Sequence, residues 1–138
     1  MAGYSSTPLP KKLGIKPGAV VALLAAPSGF EKLLGPLPED VELRTQARGK
    51  LDVIVFFATR ERELARRFPV MARALQSDGG LWVAWPKKTS CVATDLTFDP
   101  VQQTGLDCGL VDNKVCAIDD RWSALRFTYR VADRPGRR

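Results

Sequence analysis

Apolar residues fall along this chain in two kinds of run, and each predicts a different element. From Ala19 to Ala26 every position is apolar, so an extended strand there would bury both of its faces, as a central strand does when helices cover its sheet on both sides. Val53-Ile54-Val55-Phe56-Phe57, introduced by Asp52, repeats the pattern with β-branched and aromatic residues, and Leu81-Trp82-Val83-Ala84-Trp85 gives it a third time. Val41, Leu43 and Thr45 alternate instead with Glu42 and Arg44, which predicts a half-exposed strand nearer a sheet edge. Helical spacing begins after Thr59, a residue placed to cap, with Leu64, Phe68, Met71 and Leu75 on one face. Arg62, Arg66, Arg67 and Arg73 take the remaining surface, and Pro69 should kink the helix because it removes a backbone hydrogen bond.

The connections are equally legible. Pro27-Ser28-Gly29 predicts a turn, after which Phe30, Leu33 and Leu34 allow only a short helix before Gly35-Pro36 and Pro38 end it. Asp78-Gly79-Gly80 reads as a second turn. A weaker helix over 99–108 turns Val101 and Leu106 inward and stops at Gly109. Residues 114–118 and 123–131 read as two strands of a hairpin closed by Asp119-Asp120-Arg121.

Strand and helix in alternation, then a closing hairpin, predict a doubly wound α/β fold. It would be a mostly parallel sheet of about five to six strands with a C-terminal antiparallel hairpin and helices on both faces. A length of 138 residues suits one such domain over 19–131. Residues 1–18, dense in proline and glycine, read as an arm pinned by Leu13 and Ile15, and 132–138 as a basic, disordered tail. The Ala19–Ala26 run is far shorter than the roughly 20 residues that cross a bilayer, and the first residues hold no apolar signal core. A cytoplasmic location without membrane partners is the expectation.

Composition mainly removes chemistry. The chain has no histidine, which excludes a serine–histidine triad, a metalloprotease helix and a mixed Cys/His zinc finger. Cys91, Cys108 and Cys116 include no C-x-x-C pair, so they read as small hydrophobes in a reducing compartment, with Cys91 close behind Lys87 and Lys88. Among the aspartates, Asp95, Asp99, Asp112, Asp119 and Asp120 have no metal-ligand spacing and suit caps and turns. The formal charge of +6 is uneven: residues 1–18 carry +3, residues 121–138 carry +5, and residues 19–120 carry −2. The excess sits at the ends, where it serves solubility or a weak nucleic-acid contact through the tail.

Taken in order, a buried first strand, an Asp-Val-Ile-Val strand, a helix, Gly-Gly, a further apolar strand, then helix and hairpin resemble an abbreviated class I methyltransferase core, a Rossmann-like fold. Four strings carry a second resemblance: Lys11-Lys12-Leu13-Gly14-Ile15-Lys16-Pro17-Gly18, Leu81-Trp82-Val83-Ala84-Trp85-Pro86-Lys87-Lys88, Gly109 through Asp119, and Trp122-Ser123-Ala124-Leu125-Arg126-Phe127. They are similar to the bacterial family catalogued as domain of unknown function 3052, which implies a compact cytoplasmic bacterial protein and brings no activity, cofactor or catalytic residue with it.

In doubly wound sheets ligands bind beyond the carboxyl ends of the strands. That rule selects Ser28 and Gly29, Thr59, then Trp85, Lys87, Lys88, Thr89 and Ser90, and finally Trp122 as candidate ligand-binding residues. Two ammonium groups, two hydroxyls and an indole in the third segment suit a phosphate, a carboxylate or a nucleobase. The first loop, Ala25-Ala26-Pro27-Ser28-Gly29-Phe30, keeps one glycine where a cofactor loop has several, and Pro27 removes an amide donor. Glu42 stands near the place of an acidic ribose partner but within a strand. With no catalytic residue and no metal to name, the leading expectation is a non-enzymatic module that needs no cofactor. It would bind a small anionic or nucleotide-like ligand, or a protein partner, at the strand ends. A small S-adenosylmethionine-dependent methyltransferase with a degenerate cofactor loop is the first alternative, and a nucleic-acid binder using the tail with Lys87 and Lys88 the second. Oligomeric state and the isomer of the Trp85-Pro86 bond are left open.

Overall fold

A strand apolar on both faces needs cover on both sides, and the three continuous apolar runs lie side by side within one sheet. The computed structural model describes residues 7–130. Their elements are α1 (Leu9–Lys12), β1 (Val20–Leu24), α2 (Phe30–Leu34), β2 (Glu42–Arg44), β3 (Leu51–Phe57), α3 (Glu61–Ala74), β4 (Leu75–Pro86), α4 (Phe98–Asp107), β5 (Leu110–Ala117) and β6 (Trp122–Tyr129). The six strands are ordered β2-β1-β3-β4-β6-β5. The first four are mutually parallel, and β6 runs antiparallel between β4 and β5, so β5 again points the way β4 does. This is the predicted mostly parallel sheet with a terminal hairpin. Residues 1–6 of the arm and the basic tail 132–138 lie outside the described residues.

Alternation divides each central strand between two cores. Ala22 and Leu24 of β1, Ile54 and Phe56 of β3, and Leu81, Val83 and Trp85 of β4 face α3 and α4, where they meet Leu64, Phe68, Met71 and Val101. Val21, Leu23, Val53, Val55, Phe57, Trp82 and Ala84 face the other way, onto Leu13, Ile15, Phe30 and Leu34. The second face therefore has only the five-residue α2 and the N-terminal arm as cover. Leu13 and Ile15 are buried there, each worth about 1.5–3 kcal/mol of apolar transfer. The fully buried Trp82 donates its indole N–H to the Leu13 carbonyl at 3.0 Å, and Lys12 Nζ donates to the Ala117 carbonyl at 3.1 Å. The arm is thus a wall of the core.

Two local expectations are corrected. Asp78-Gly79-Gly80 is not a turn: β4 continues through it, with the register slipping between the Leu51–Leu75 and Val53–Gly80 pairs. Glycine is needed because a Cβ on Gly79 would come within 2.7 Å of the Asp52 carbonyl, a close approach of two backbones. Thr59 is not the cap of α3. Arg60 holds that position without a side-chain bond, and Asp95 Oδ1 accepts from Glu61 N–H at 2.7 Å across the chain. α3 is assigned as one helix of 14 residues through Pro69. The Trp85-Pro86 bond is trans, as is every described peptide bond.

On the α4 side, Gly105 lets the helix sit directly on the Phe127 ring, 2.0 Å from where a Cβ would be. Phe127 in turn packs edge-on against Phe68 at 5.3 Å. The Tyr129 hydroxyl donates to the Ala72 carbonyl, tying the end of β6 to the last turn of α3.

Gly105→Ala should lower unfolding free energy by about 1–3 kcal/mol through overpacking against Phe127, measured by urea denaturation. Trp82→Phe should cost about 1–3 kcal/mol because the Leu13 carbonyl loses its partner inside the core, and it should expose the arm to limited proteolysis.

Candidate functional site

Parallel strands deliver their following loops to one edge of a sheet, and an aromatic contact at the end of β3 holds three of these loops together. Phe57 meets Phe30 edge-on at 4.8 Å and Trp122 edge-on at 5.0 Å. It thereby fixes the β1 loop with α2 on one side and the β5–β6 turn on the other. That turn is built by Asp119, whose Oδ1 accepts from the backbone N–H groups of Arg121 and Trp122 at 2.8 and 2.9 Å. The loop after β4 joins the same rim through a bond from Lys87 N–H to the Arg121 carbonyl at 2.8 Å.

Two cavities flank the β1 loop. One, of about 520 Å³, lies between residues 25–31 and Thr45 at the end of β2. The other, of about 230 Å³, lies between residues 27–30 and the hairpin turn, with Asp119, Arg121 and Trp122 on its far wall. A shallower hollow of about 460 Å³ continues past Thr45 to Gln46 and Arg48. The first lies within the 300–1,000 Å³ range typical of small-molecule sites. The loop itself makes its sharp turn with Ala25 and Gly29 at φ 56° and 84°.

Of the residues singled out from sequence, Ser28, Gly29 and Trp122 line these cavities. The others are placed elsewhere. Trp85 is buried on the α3–α4 face beside Phe98, because alternation along β4 sends it there with Leu81 and Val83. Thr59 lines neither cavity, and its carbonyl accepts from Thr94 Oγ1 at 2.7 Å and Asp95 N–H at 3.3 Å. Lys87 to Ser90 form a tight turn at the rim, closed by Ser90 Oγ donating to the Lys87 carbonyl at 2.7 Å, and Lys88 and Thr89 are exposed to solvent without lining the cavities. Thr45 is the residue that sequence reading missed: it counted only as an alternating strand residue, and its place beside the β1 loop is a tertiary fact. Arg121 belongs to the 119–122 turn that the strand-end rule selects, though only Trp122 of that turn was singled out.

Charge at the end of β2 is basic. Glu42 is held below its usual carboxylate range by a 2.6 Å bond from Arg44, whose own guanidinium is correspondingly raised. Arg44 also donates to the Arg48 carbonyl at 2.9 Å. Burial pushes up the thiols of Cys108 and Cys116, which disfavours their reactive thiolate form, whereas Cys91 is exposed. Among the described residues no group of metal-ligating side chains converges, and no helix is long and apolar enough to cross a membrane.

No family model matches the chain, and no curated protein matches it in sequence. Solved structures do match in fold. The ribosomal protein L11 methylase of Lactobacillus delbrueckii subsp. bulgaricus superposes with a TM-score of 0.59 over 88% of this chain and 75% of that one, at 15% identity. Magnesium protoporphyrin IX methyltransferase of Synechocystis with bound S-adenosylmethionine gives 0.57 over 88% and 74%, at 12% identity. The O-methyltransferase NcsB1 of neocarzinostatin biosynthesis, in complex with S-adenosylmethionine, gives 0.63 over 82% of this chain at 11% identity, and the chain spans only 49% of its length. The fold is therefore that of the methyltransferase-like Rossmann proteins.

Asp95→Ala should remove the acceptor at the start of α3 and cost about 0.5–2 kcal/mol, read from chemical denaturation. A maleimide should label Cys91 of the native protein first at pH 7. Because thiolate forms only above a raised pKa, labelling of Cys116 should gain rate only at distinctly alkaline pH, and mass spectrometry of the quenched mixtures distinguishes the sites.

Proposed function

We propose that this protein binds an S-adenosyl nucleoside in the crevice between the Ser28-Gly29 loop and Thr45, as a small methyltransferase whose cofactor loop has diverged. The observation that carries the reading is the cavity of about 520 Å³ at the carboxyl ends of β1 and β2, within a sheet whose fold is shared with proteins solved with S-adenosylmethionine. The fit of the residues is partial. The Ser28 and Thr45 hydroxyls and the backbone of Ala25 to Gly29 lie on the cavity and suit hydrogen bonding to ribose and base edges. An acidic partner for ribose hydroxyls is not at the end of β2, because Glu42 is committed to Arg44. Pro27 offers no amide, and α2 is too short to contribute as an anion-binding helix. The bound nucleoside would supply an activated methyl group. The chain's own part is to orient it with the two hydroxyls and to shield it with Phe30.

One observation favours a second reading, a non-enzymatic site for an anionic nucleotide. Arg48 borders the hollow that continues from Thr45, next to the Arg44–Glu42 pair, and a cation there suits a phosphate on the ribose better than its free hydroxyls.

Thermal-shift and equilibrium-dialysis titrations with S-adenosylmethionine, S-adenosylhomocysteine and adenosine phosphates separate the two. A ligand at about 100 times its Kd should stabilise the protein by about 2.7 kcal/mol. Thr45→Trp, which fills the crevice from an exposed position, should abolish that gain while leaving the unliganded melting temperature nearly unchanged. Stabilisation by phosphorylated nucleotides alone would select the second reading. No stabilisation by any of them at millimolar concentration would remove both.

A further inference from the structure

We infer that the smaller cavity, between the β1 loop and the β5–β6 turn, is a separate site for a planar aromatic carboxylate. Its walls are residues 27–30 with Leu33 on one side and Asp119, Arg121 and Trp122 on the other. Trp122 is half-buried, with its ring fixed edge-on against Phe57, so an indole is held at the cavity without having to be ordered on binding. Leu33, 48% exposed, supplies an apolar surface opposite.

The polar groups of this cavity are unspent. Among the described residues the Arg121 guanidinium, the Trp122 indole N–H and the Ser28 hydroxyl have no hydrogen-bond or ion-pair partner. Arg121 and Trp122 are held through backbone groups alone: their N–H groups donate to Asp119 Oδ1, and their carbonyls accept from Lys87 N–H and Ile118 N–H. That carboxylate oxygen already accepts two hydrogen bonds in the turn, so the turn geometry is satisfied without the Arg121 side chain. A guanidinium is a fork for a carboxylate, and an indole with a leucine opposite accepts a flat ring. At about 230 Å³ the cavity has room for one or two fused rings. A nucleoside belongs to the larger crevice next door, so this site stands whether or not that crevice takes one. Where both are filled, Ser28 and Gly29 lie on both cavities and the two ligands are neighbours across the loop.

Titration of the full chain with naphthoate, without any nucleoside, tests the inference, using the three indole N–H signals in nitrogen-edited NMR spectra. The Trp122 signal, assigned by Trp122→Phe, should shift saturably while those of buried Trp82 and Trp85 stay fixed. Arg121→Gln should weaken binding roughly tenfold, and Arg121→Lys less, as expected for loss of a charge-assisted bond. Naphthamide, of the same shape without the charge, should bind the native protein no better than naphthoate binds Arg121→Gln. Because Arg121 is exposed, an unchanged Trp82 signal will show that the variants remain folded. A Trp122 signal that does not move, equal binding of acid and amide, or unchanged affinity in Arg121→Gln would each overturn the inference. None of these outcomes depends on the nucleoside titration.

Discussion

Phe57 is the residue on which the geometry of the rim depends. It is the last residue of β3, it is buried, and it touches the first residue of α2 and the first residue of β6 through its two edge-on contacts. Elements distant in sequence are thereby fixed at one end of the sheet by a single ring. Aromatic pairs in this geometry contribute about 0.5–1.5 kcal/mol beyond burial. Their greater effect here is positional, since a loop without such an anchor would have no defined wall to offer a ligand.

The insertion of β6 between β4 and β5 is the second constraint. Had the last two strands been added in sequence order, Trp122 would begin the outermost strand, one strand farther from Phe57. With β6 paired directly to β4 through Trp82–Arg126 and Ala84–Ala124, the turn falls beside Phe57 instead. Lys87 then bonds to Arg121 because the strand carrying one is hydrogen-bonded to the strand carrying the other. Gly80 and Gly105 serve the same insertion: a Cβ on the first would meet the Arg126 side chain, and on the second the Phe127 ring.

The two faces of the sheet are covered unequally, and the inequality bears on function. α3 and α4 provide a full helical layer on one side. On the other, the short α2 and the arm leave the region above β1 and β2 with little more than loop, and the crevices open there. A longer helix after β1 would have turned the positive end of a larger macrodipole toward the first crevice. Proline and glycine on both sides of α2 prevent that, so the polar groups at the crevice are those of Ser28, Glu31 and Thr45 and the backbone of Ala25 to Gly29, with arginines at its margin. This is the physical difference between the chain and a fold that keeps the full cofactor loop.

Strand identity and strand burial were decided by the sequence: uninterrupted apolar runs cannot be satisfied by anything but a two-sided cover, and 20–24, 51–57 and 81–86 all lie in the sheet's interior. The hairpin, the shortness of α2 and the burial of Leu13 and Ile15 were equally legible, because proline, glycine and alternation act over a few residues. Asp78-Gly79-Gly80 misled, since the same two glycines that suit a turn also suit a close passage beside Asp52, and only the neighbouring strand distinguishes them. Thr59 misled for a similar reason: a residue from another loop, Asp95, serves the helix start. Which side chains line the rim was settled by tertiary structure alone. Trp85 and Trp122 look alike as aromatic residues at strand ends, but one lies under α4 and the other lines the cavity beside the β1 loop: in the antiparallel pairing Trp122 sits opposite Pro86 rather than Trp85, and successive residues of a strand take opposite faces.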